Sequence, residues 1–244
     1  MPLFLEGQGV TKYFGGLAAL KDVDFTLERG EILGVIGPNG AGKTTLINCI
    51  SGVYRLDAGR LRFKGKDICD CSQDERCKRG IARTFQIVRP FLNLTAVENV
   101  MIGVLYGRGG SEDLNDAHRE ALHFLELVGL KDQRDVPAKN LTAHKRKMLE
   151  LARALATDPS ILLMDEVAAG LNPSEVLEAM QMVRKIHHDL DISILWIEHV
   201  MKAIMGVAER IIVLNYGEKI AEGKPDEIAN DPRVIKAYLG EKHW

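Results

Sequence analysis

The chain has 244 residues, 46% of them apolar, with a net charge of −2 and four cysteines. That apolar share is ample for a buried core, and no apolar run approaches the ~20 residues that span a bilayer as a helix. The near-neutral charge gives no general reason to expect a nucleic-acid partner. The start, MPLFLEGQG, lacks the basic opening and long apolar core of a secretory signal, so a cytosolic chain with reduced cysteines is expected.

Leu3 to Val10 and Val23 to Leu27 read as short strands, the second alternating Val23, Phe25 and Leu27 with polar neighbours. Between them stands Lys12-Tyr13-Phe14-Gly15-Gly16, an aromatic pair against a glycine turn. It reads either as a hairpin with packed aromatics or as a face for stacking a base. The apolar run Ile32 to Ile36 then leads into GPNGAGKTT, Gly37 to Thr45, and an amphipathic segment follows to Ile50. This stretch matches G-x-x-x-x-G-K-[ST] through Gly37, Gly42, Lys43 and Thr44, in the strand–loop–helix setting the motif needs. Backbone N–H groups of Pro38-Asn39-Gly40-Ala41-Gly42-Lys43-Thr44-Thr45 (proline excepted) are expected to cradle phosphates at a helix N-terminus. Lys43 is expected to reach the β- and γ-phosphates, and the Thr44 hydroxyl to ligate Mg²⁺. A nucleoside triphosphate is the predicted ligand. No N-K-x-D motif occurs to read a guanine, which disfavours a GTPase.

Leu61 and Phe63 mark a short strand, and Ser72 with Glu75 a capping box for a helix over Asp74 to Arg79. Cys69, Cys71 and Cys77 lie close in sequence without a nearby histidine or a C-x-x-C pair. They read as ordinary loop or helix cysteines, with a metal site as the alternative. Ile81 to Gln86 reads as a strand ending in an amide. From there to about residue 156 the pattern turns helical: Thr95 with Glu98 caps one helix, a second spans Asn115 to Val128 before Gly129, and a third begins near Thr142. The glycine-rich stretch Arg108 to Glu112 between the first two is expected to move. The expected domains are thus a core with a β subdomain, residues 1–86 and 157–244, and a helical lobe, 87–156.

The core resumes with Ile161 to Met164, an unbroken apolar strand of the kind buried on both faces, ending in Asp165-Glu166. Asn172-Pro173 opens a helix to about His188. Ile192 to Ile197 is a further buried strand, ending in Glu198-His199, and shorter elements follow to a last helix opened by Asp231-Pro232. In an open α/β sheet ligands bind at the carboxyl ends of strands. Gln86, Asp165, Glu166 and His199 all stand just past such ends, so they are expected to meet the phosphate loop. Thr44, Gln86 and Asp165 offer the hard oxygens that magnesium takes. Glu166 is the expected general base for the attacking water, and His199 the expected donor to the γ-phosphate.

These motifs resemble those of the nucleotide-binding subunit of an ABC transporter, over essentially the whole chain. The matching residues are the Walker A stretch GPNGAGKTT, the Q-loop glutamine Gln86 in RTFQ, the Walker B strand ILLMDE with Asp165 and Glu166, and the switch histidine His199 in WIEH. FGGLAALKDVDFTLERGEILGVIGPNGAGKTTLIN and IARTFQIVRPFLNLTAVENV look closest to the ATPases of branched-chain amino-acid importers, and AGLNP, Ala169 to Pro173, takes the D-loop position in a form that group uses. The resemblance implies an α/β fold: a RecA-like P-loop NTPase core, an antiparallel β subdomain and an inserted helical lobe. It implies an ATPase with ATP and Mg²⁺, and Phe14 (or Tyr13) stacked on adenine. It implies a head-to-tail dimer with a second ATPase subunit, each ATP held between one Walker A and the partner's signature loop. It also implies membrane permease subunits docked near Gln86 to Asn93, a solute-binding protein as an indirect partner, and a place on the inner face of the plasma membrane.

The chain departs from the family at the signature. L-S-G-G-Q stands here as Leu141-Thr142-Ala143-His144-Lys145. Thr142 keeps a hydroxyl that can cap the next helix, but both glycines are gone. Either the loop serves the partner's nucleotide poorly, giving two unequal sites in a heterodimer, or the loop is tolerated, with His144 or Lys145 making substitute phosphate contacts and Thr142 still presenting the helix N-terminus to the phosphate. Two other functions fit similar sequences: an ATPase that extracts lipid or lipopolysaccharide, and a soluble ABC ATPase of repair or translation. The latter would need a long coiled-coil insertion or a second cassette.

Overall fold

The computed structural model describes residues 4–85 and 88–239. Its elements begin with β1 (Leu5–Phe14), β2 (Leu17–Leu27), β3 (Ile32–Ile36), α1 (Lys43–Ile50), β4 (Ala58–Phe63), β5 (Lys66–Asp67), α2 (Gln73–Lys78) and β6 (Ile81–Arg83). The helices α3 (Ala96–Tyr106), α4 (Leu114–Leu127) and α5 (Ala143–Leu155) follow, then β7 (Ile161–Asp165) and α6 (Pro173–Leu190). Last come β8 (Ser193–Ile197), α7 (Met201–Val207), β9 (Arg210–Asn215), β10 (Glu218–Gly223), α8 (Pro225–Ala229) and α9 (Pro232–Leu239). The chain forms two compact units, residues 1–73 with 168–244, and residues 74–167. No helix among the described residues is long and apolar enough to cross a membrane.

In the first unit an antiparallel sheet runs β2-β1-β4-β5. The hairpin ladder continues through Lys12↔Leu20 and Tyr13↔Ala18 to Phe14↔Leu17, so the aromatic pair lies in strand and only Gly15-Gly16 turns. Its second set of strands runs β10-β9-β3-β8. Every residue of β3 and β8 is buried, so neither strand shows alternation; each apolar side chain withdrawn here contributes roughly 1.5–3 kcal/mol. β3 pairs in parallel with β8, Ile32↔Ile194 through Val35↔Ile197, and with β9, where Ile36 meets Val213. Arg210 locks this arrangement: its guanidinium binds both carboxylate oxygens of Glu31, at 2.8 and 2.9 Å, and the Thr26 carbonyl at 2.8 Å. Such planar, two-pronged pairing is what arginine does better than lysine. On α6, Val176, Ala179, Met180, Val183 and Ile186 face inward at helical spacing, and the Asn172 capping box with proline after it starts the helix as expected.

In the second unit β6 pairs in parallel with β7, from Ile81↔Ile161 to Arg83↔Leu163. The strand stops at Arg83, short of the expected end at Gln86, which lies outside the described residues. The reason is competition for donors: the Phe85 N–H goes to the Glu150 carboxylate on α5, 3.1 Å away, and not to a neighbouring strand. Thr95 and Glu98 form the expected reciprocal capping box on α3, and Thr142 caps α5. The helix α4 begins on Asp113, whose carboxylate accepts the Asn115 and Asp116 N–H groups, and Gly129 takes the left-handed conformation just past its end. Arg108, at the start of the stretch expected to move, is tied by its side chain to Asp158 and Ser160. The helical lobe read from sequence, 87–156, lies within this unit.

Candidate nucleotide-binding site

In the first unit, the loop between β3 and α1 is shaped by what surrounds it. Gly37 has φ 153°, and a Cβ on it would come within 2.1 Å of the Leu214 carbonyl oxygen. Gly42 has φ 102°, and a Cβ there would fall 2.5 Å from the Ala19 carbonyl oxygen. Only glycine meets both demands at once. The turn after β9 holds the loop from the far side, Gly217 N–H to Ala41 O at 3.1 Å. Gly42 is the N-cap of α1 and no side chain caps that helix, unlike α3, α4, α5 and α6. At such a helix N-terminus the dipole favours negative charge. Lys43 is 6% exposed, with Nζ donating to Gly37 O at 2.7 Å and Pro38 O at 2.9 Å. The Thr44 side chain is exposed on the first turn.

The pairing of Val35 with Ile197 brings Gly37 and the Glu198-His199 pair to the ends of adjacent parallel strands. His199 is exposed at this edge, as expected. Phe14 is 44% exposed at the tip of the β1–β2 hairpin, with Tyr54 edge-on at 5.1 Å; β2 is the strand that lies against Gly42. Tyr13 is exposed beside it. From the C-terminal stretch, Tyr238 is 40% exposed; burial pushes the phenol's pKa up, and the nearby Gly37 N–H partly offsets that shift. Neither Tyr238 nor Glu198 was marked by the sequence.

In the second unit, Thr84, Phe85, Lys147, Glu150, Asp165 and Glu166 line one small cleft. Asp165 is 2% exposed, its Oδ2 3.3 Å from the Arg83 guanidinium, and that guanidinium sits 4.8 Å over the Phe85 ring. Asp165 and Thr44 each present the hard oxygen that magnesium accepts. Glu166 has φ 52°, a left-handed backbone that is rare for a side chain of its size and costs about 1–3 kcal/mol. Strain of that kind gathers at functional residues. The sequence-predicted Gln86 falls outside the described residues. Cys69, Cys71 and Cys77 form no disulfide, and no group of three or more metal-binding side chains occurs among the described residues.

Two residues on α5 bracket the chain on either side of residues 86–87. Glu150 accepts from Phe85 N–H, and Arg153 donates through both terminal nitrogens to Arg89 O at 3.2 Å while lying over the Phe91 ring. Burial pushes Glu150 up to about 7; the Phe85 N–H and the charges of Arg153 and Arg83 only partly offset it. The carboxyl therefore holds a proton in the folded protein between about pH 4.5 and 7 that it has lost in the unfolded chain, and stability falls as pH rises through that window. Glu150→Gln keeps an acceptor for Phe85 and removes the titration. It should raise the unfolding midpoint at pH 8, by up to roughly 3 kcal/mol of stability, with the gain fading towards pH 4.5. Thermal denaturation across that range tests this; a gain independent of pH would contradict it.

The signature departure is laid out on the start of α5. Thr142 Oγ1 accepts the Lys145 N–H at 3.3 Å, so the cap survives the loss of the glycines. Thr142, Ala143 and His144 are exposed. The first turn carries no acidic residue and holds Lys145 where the helix dipole disfavours a cation.

A family model described as ABC transporter matches residues 20–169, and one described as branched-chain amino acid ATP-binding cassette transporter matches residues 218–243. The chain belongs to the ABC transporter ATP-binding family. It is 39% identical over 249 residues to the high-affinity branched-chain amino acid transport ATP-binding protein BraF of Pseudomonas aeruginosa, covering 97% of this chain and 98% of that one. To LivG of Escherichia coli, which bears the same description, it is 38% identical over the same shares. Among solved structures, the ADP conformation of MJ1267, an ATP-binding cassette of an ABC transporter, superposes with a TM-score of 0.87 at 32% identity, covering 99% of this chain and all of that one. The dimeric post-hydrolysis state of the cassette MJ0796 with ADP and Pi gives 0.83 at 27% identity, over 91% and 98% of the two chains. The fold is therefore that of the RecA-like P-loop cassettes. This chain is thus an ATP-hydrolysing subunit of an ABC transporter.

Proposed function

We propose that this ABC ATPase powers uptake of branched-chain or other hydrophobic amino acids, seated on the cytoplasmic face of the plasma membrane against permease subunits that dock near Gln86 to Asn93. The observation that carries the solute class is the match of residues 218–243 to a family model drawn on branched-chain cassettes. A solute-binding protein would deliver the amino acid to the permease. Purification of the native complex, followed by reconstitution in liposomes and assay of ATP-driven leucine, isoleucine and valine uptake, tests the reading. Accumulation of these solutes supports it; a complex that moves lipid and no amino acid would replace it.

In the proposed mechanism, adenine stacks on Phe14, the α1 N–H groups and Lys43 neutralise the phosphates, and His199 donates to a γ-phosphate oxygen. Glu166 accepts the proton of the attacking water. Magnesium, when bound, would be held by Thr44 and Asp165, with Gln86, and would offset charge on the phosphate oxygens. Two subunits would close head-to-tail, each offering its α5 N-terminus to the other's nucleotide.

That last role predicts a consequence of the diverged signature. With side chains on residues 143 and 144, close backbone approach to a phosphate is hindered, so the site served by this loop would turn over slowly in a heterodimer. The triple change Thr142→Ser, Ala143→Gly, His144→Gly should raise turnover at that site by up to about 10²-fold, the lower end of what one transition-state donor contributes. Single-turnover assay of the assembled transporter checks it; an unchanged rate would mean that Thr142, His144 and Lys145 already serve.

A further inference from the structure

Glu198 follows β8 directly and is 0% exposed. Its Oε1 accepts the His199 N–H at 2.9 Å and the Val200 N–H at 3.2 Å, while Oε2 accepts the Ala168 N–H at 2.9 Å. Withdrawing a carboxyl group from water is costly unless its oxygens are met by donors, and here three backbone N–H groups meet them. Ala168 is engaged at both ends, since its carbonyl accepts the Leu171 N–H at 3.3 Å. The short turn from Ala168 runs through Gly170, with φ 77°, to Asn172, whose capping box starts α6. One rigid side chain thus joins the backbone of His199 to the root of the Ala168–Asn172 turn, thirty residues away in sequence.

We propose that Glu198 is a positioning residue for hydrolysis, fixing His199 and the Ala168–Asn172 turn in one geometry so that neither shifts without the other. This rests on the reading of His199 as the γ-phosphate donor. The two oxygens have separate tasks, so the carboxylate cannot be replaced by its amide without loss. In Glu198→Gln the oxygen can serve one side, but the NH₂ group faces an N–H on the other and cannot accept from it. The shape is kept and one of the two links opens.

The test compares Glu198→Gln, His199→Ala and the double variant in the purified ATPase. Turnover, KM for ATP, ADP affinity and the unfolding midpoint without nucleotide are measured for each. Glu198→Gln should lower kcat on the order of 10- to 100-fold, as misplacement by about 1 Å does. KM for ATP and ADP affinity, set by the α1 loop, should stay within about twofold. The double variant should be no slower than His199→Ala, because Glu198 acts through that residue. Wild-type turnover in Glu198→Gln with slow turnover in His199→Ala overturns this proposal alone. Full turnover in His199→Ala overturns it together with the reading it rests on. A parallel loss of kcat, ADP affinity and midpoint in Glu198→Gln would assign Glu198 a structural role only, and also overturns it.

Discussion

Glu166→Gln should lower ATP turnover by about 10²- to 10⁴-fold, the usual contribution of a general base, while nucleotide still binds. The amide has the shape of the carboxyl and should keep the left-handed backbone at residue 166, so position is retained and only proton acceptance is lost. Nucleotide binding is expected to survive because the proposed site gives the phosphates to the P-loop and Lys43, not to Glu166. In the proposed dimer, ATP that binds and is not hydrolysed would hold two subunits closed. Size-exclusion chromatography with ATP should therefore show a dimer for this variant, and single-turnover assay should show almost no phosphate release. Turnover near that of the wild type would remove Glu166 from the role of base.

Lys43→Ala should weaken ATP binding or abolish hydrolysis, with a loss on the order of 10²- to 10³-fold in turnover, as for other groups that meet charge in the transition state. The ammonium is nearly buried and lies across the mouth of its own loop, bonded to Gly37 O and Pro38 O. Those carbonyls hold it where phosphate oxygens would be met by the α1 N–H groups. Alanine removes the only charge that the loop itself brings to the phosphates and leaves both carbonyls without this donor. Fluorescent-nucleotide titration and an ATPase assay together check the outcome. Undiminished binding and turnover would contradict the assignment of the loop.

The family membership makes the Glu150 and Glu198 arrangements informative about the whole machine. The helix that opens at the diverged signature also grips Phe85 and Arg89, so the chemistry of residues 142–145 and the backbone near Gln86 share one rigid element. In the other unit, the strand end that carries His199 grips the root of the turn leading to α6. Two buried glutamates outside the P-loop and Walker B motifs thus fix the backbone at Phe85 and at Ala168 and His199.

The sequence by itself determined what is local. Gly37 and Gly42 specify their turn because a Cβ at either would run into a backbone carbonyl oxygen. Thr95, Thr142 and Asn172 specify helix starts because a cap acts on N–H groups two or three residues on. Ile161 to Met164 and Ile194 to Ile197 specify buried strands because an unbroken apolar run has no face for water. Only the tertiary structure decided which polar groups meet at long range. Past the end of β6 the Phe85 N–H turns to Glu150, 65 residues later, and Glu198 finds Ala168 thirty residues earlier. A lone glutamate in an apolar stretch looks the same in sequence whether it ends a strand or holds three donors, because the donors that stabilise it are backbone groups with no sequence signature of their own.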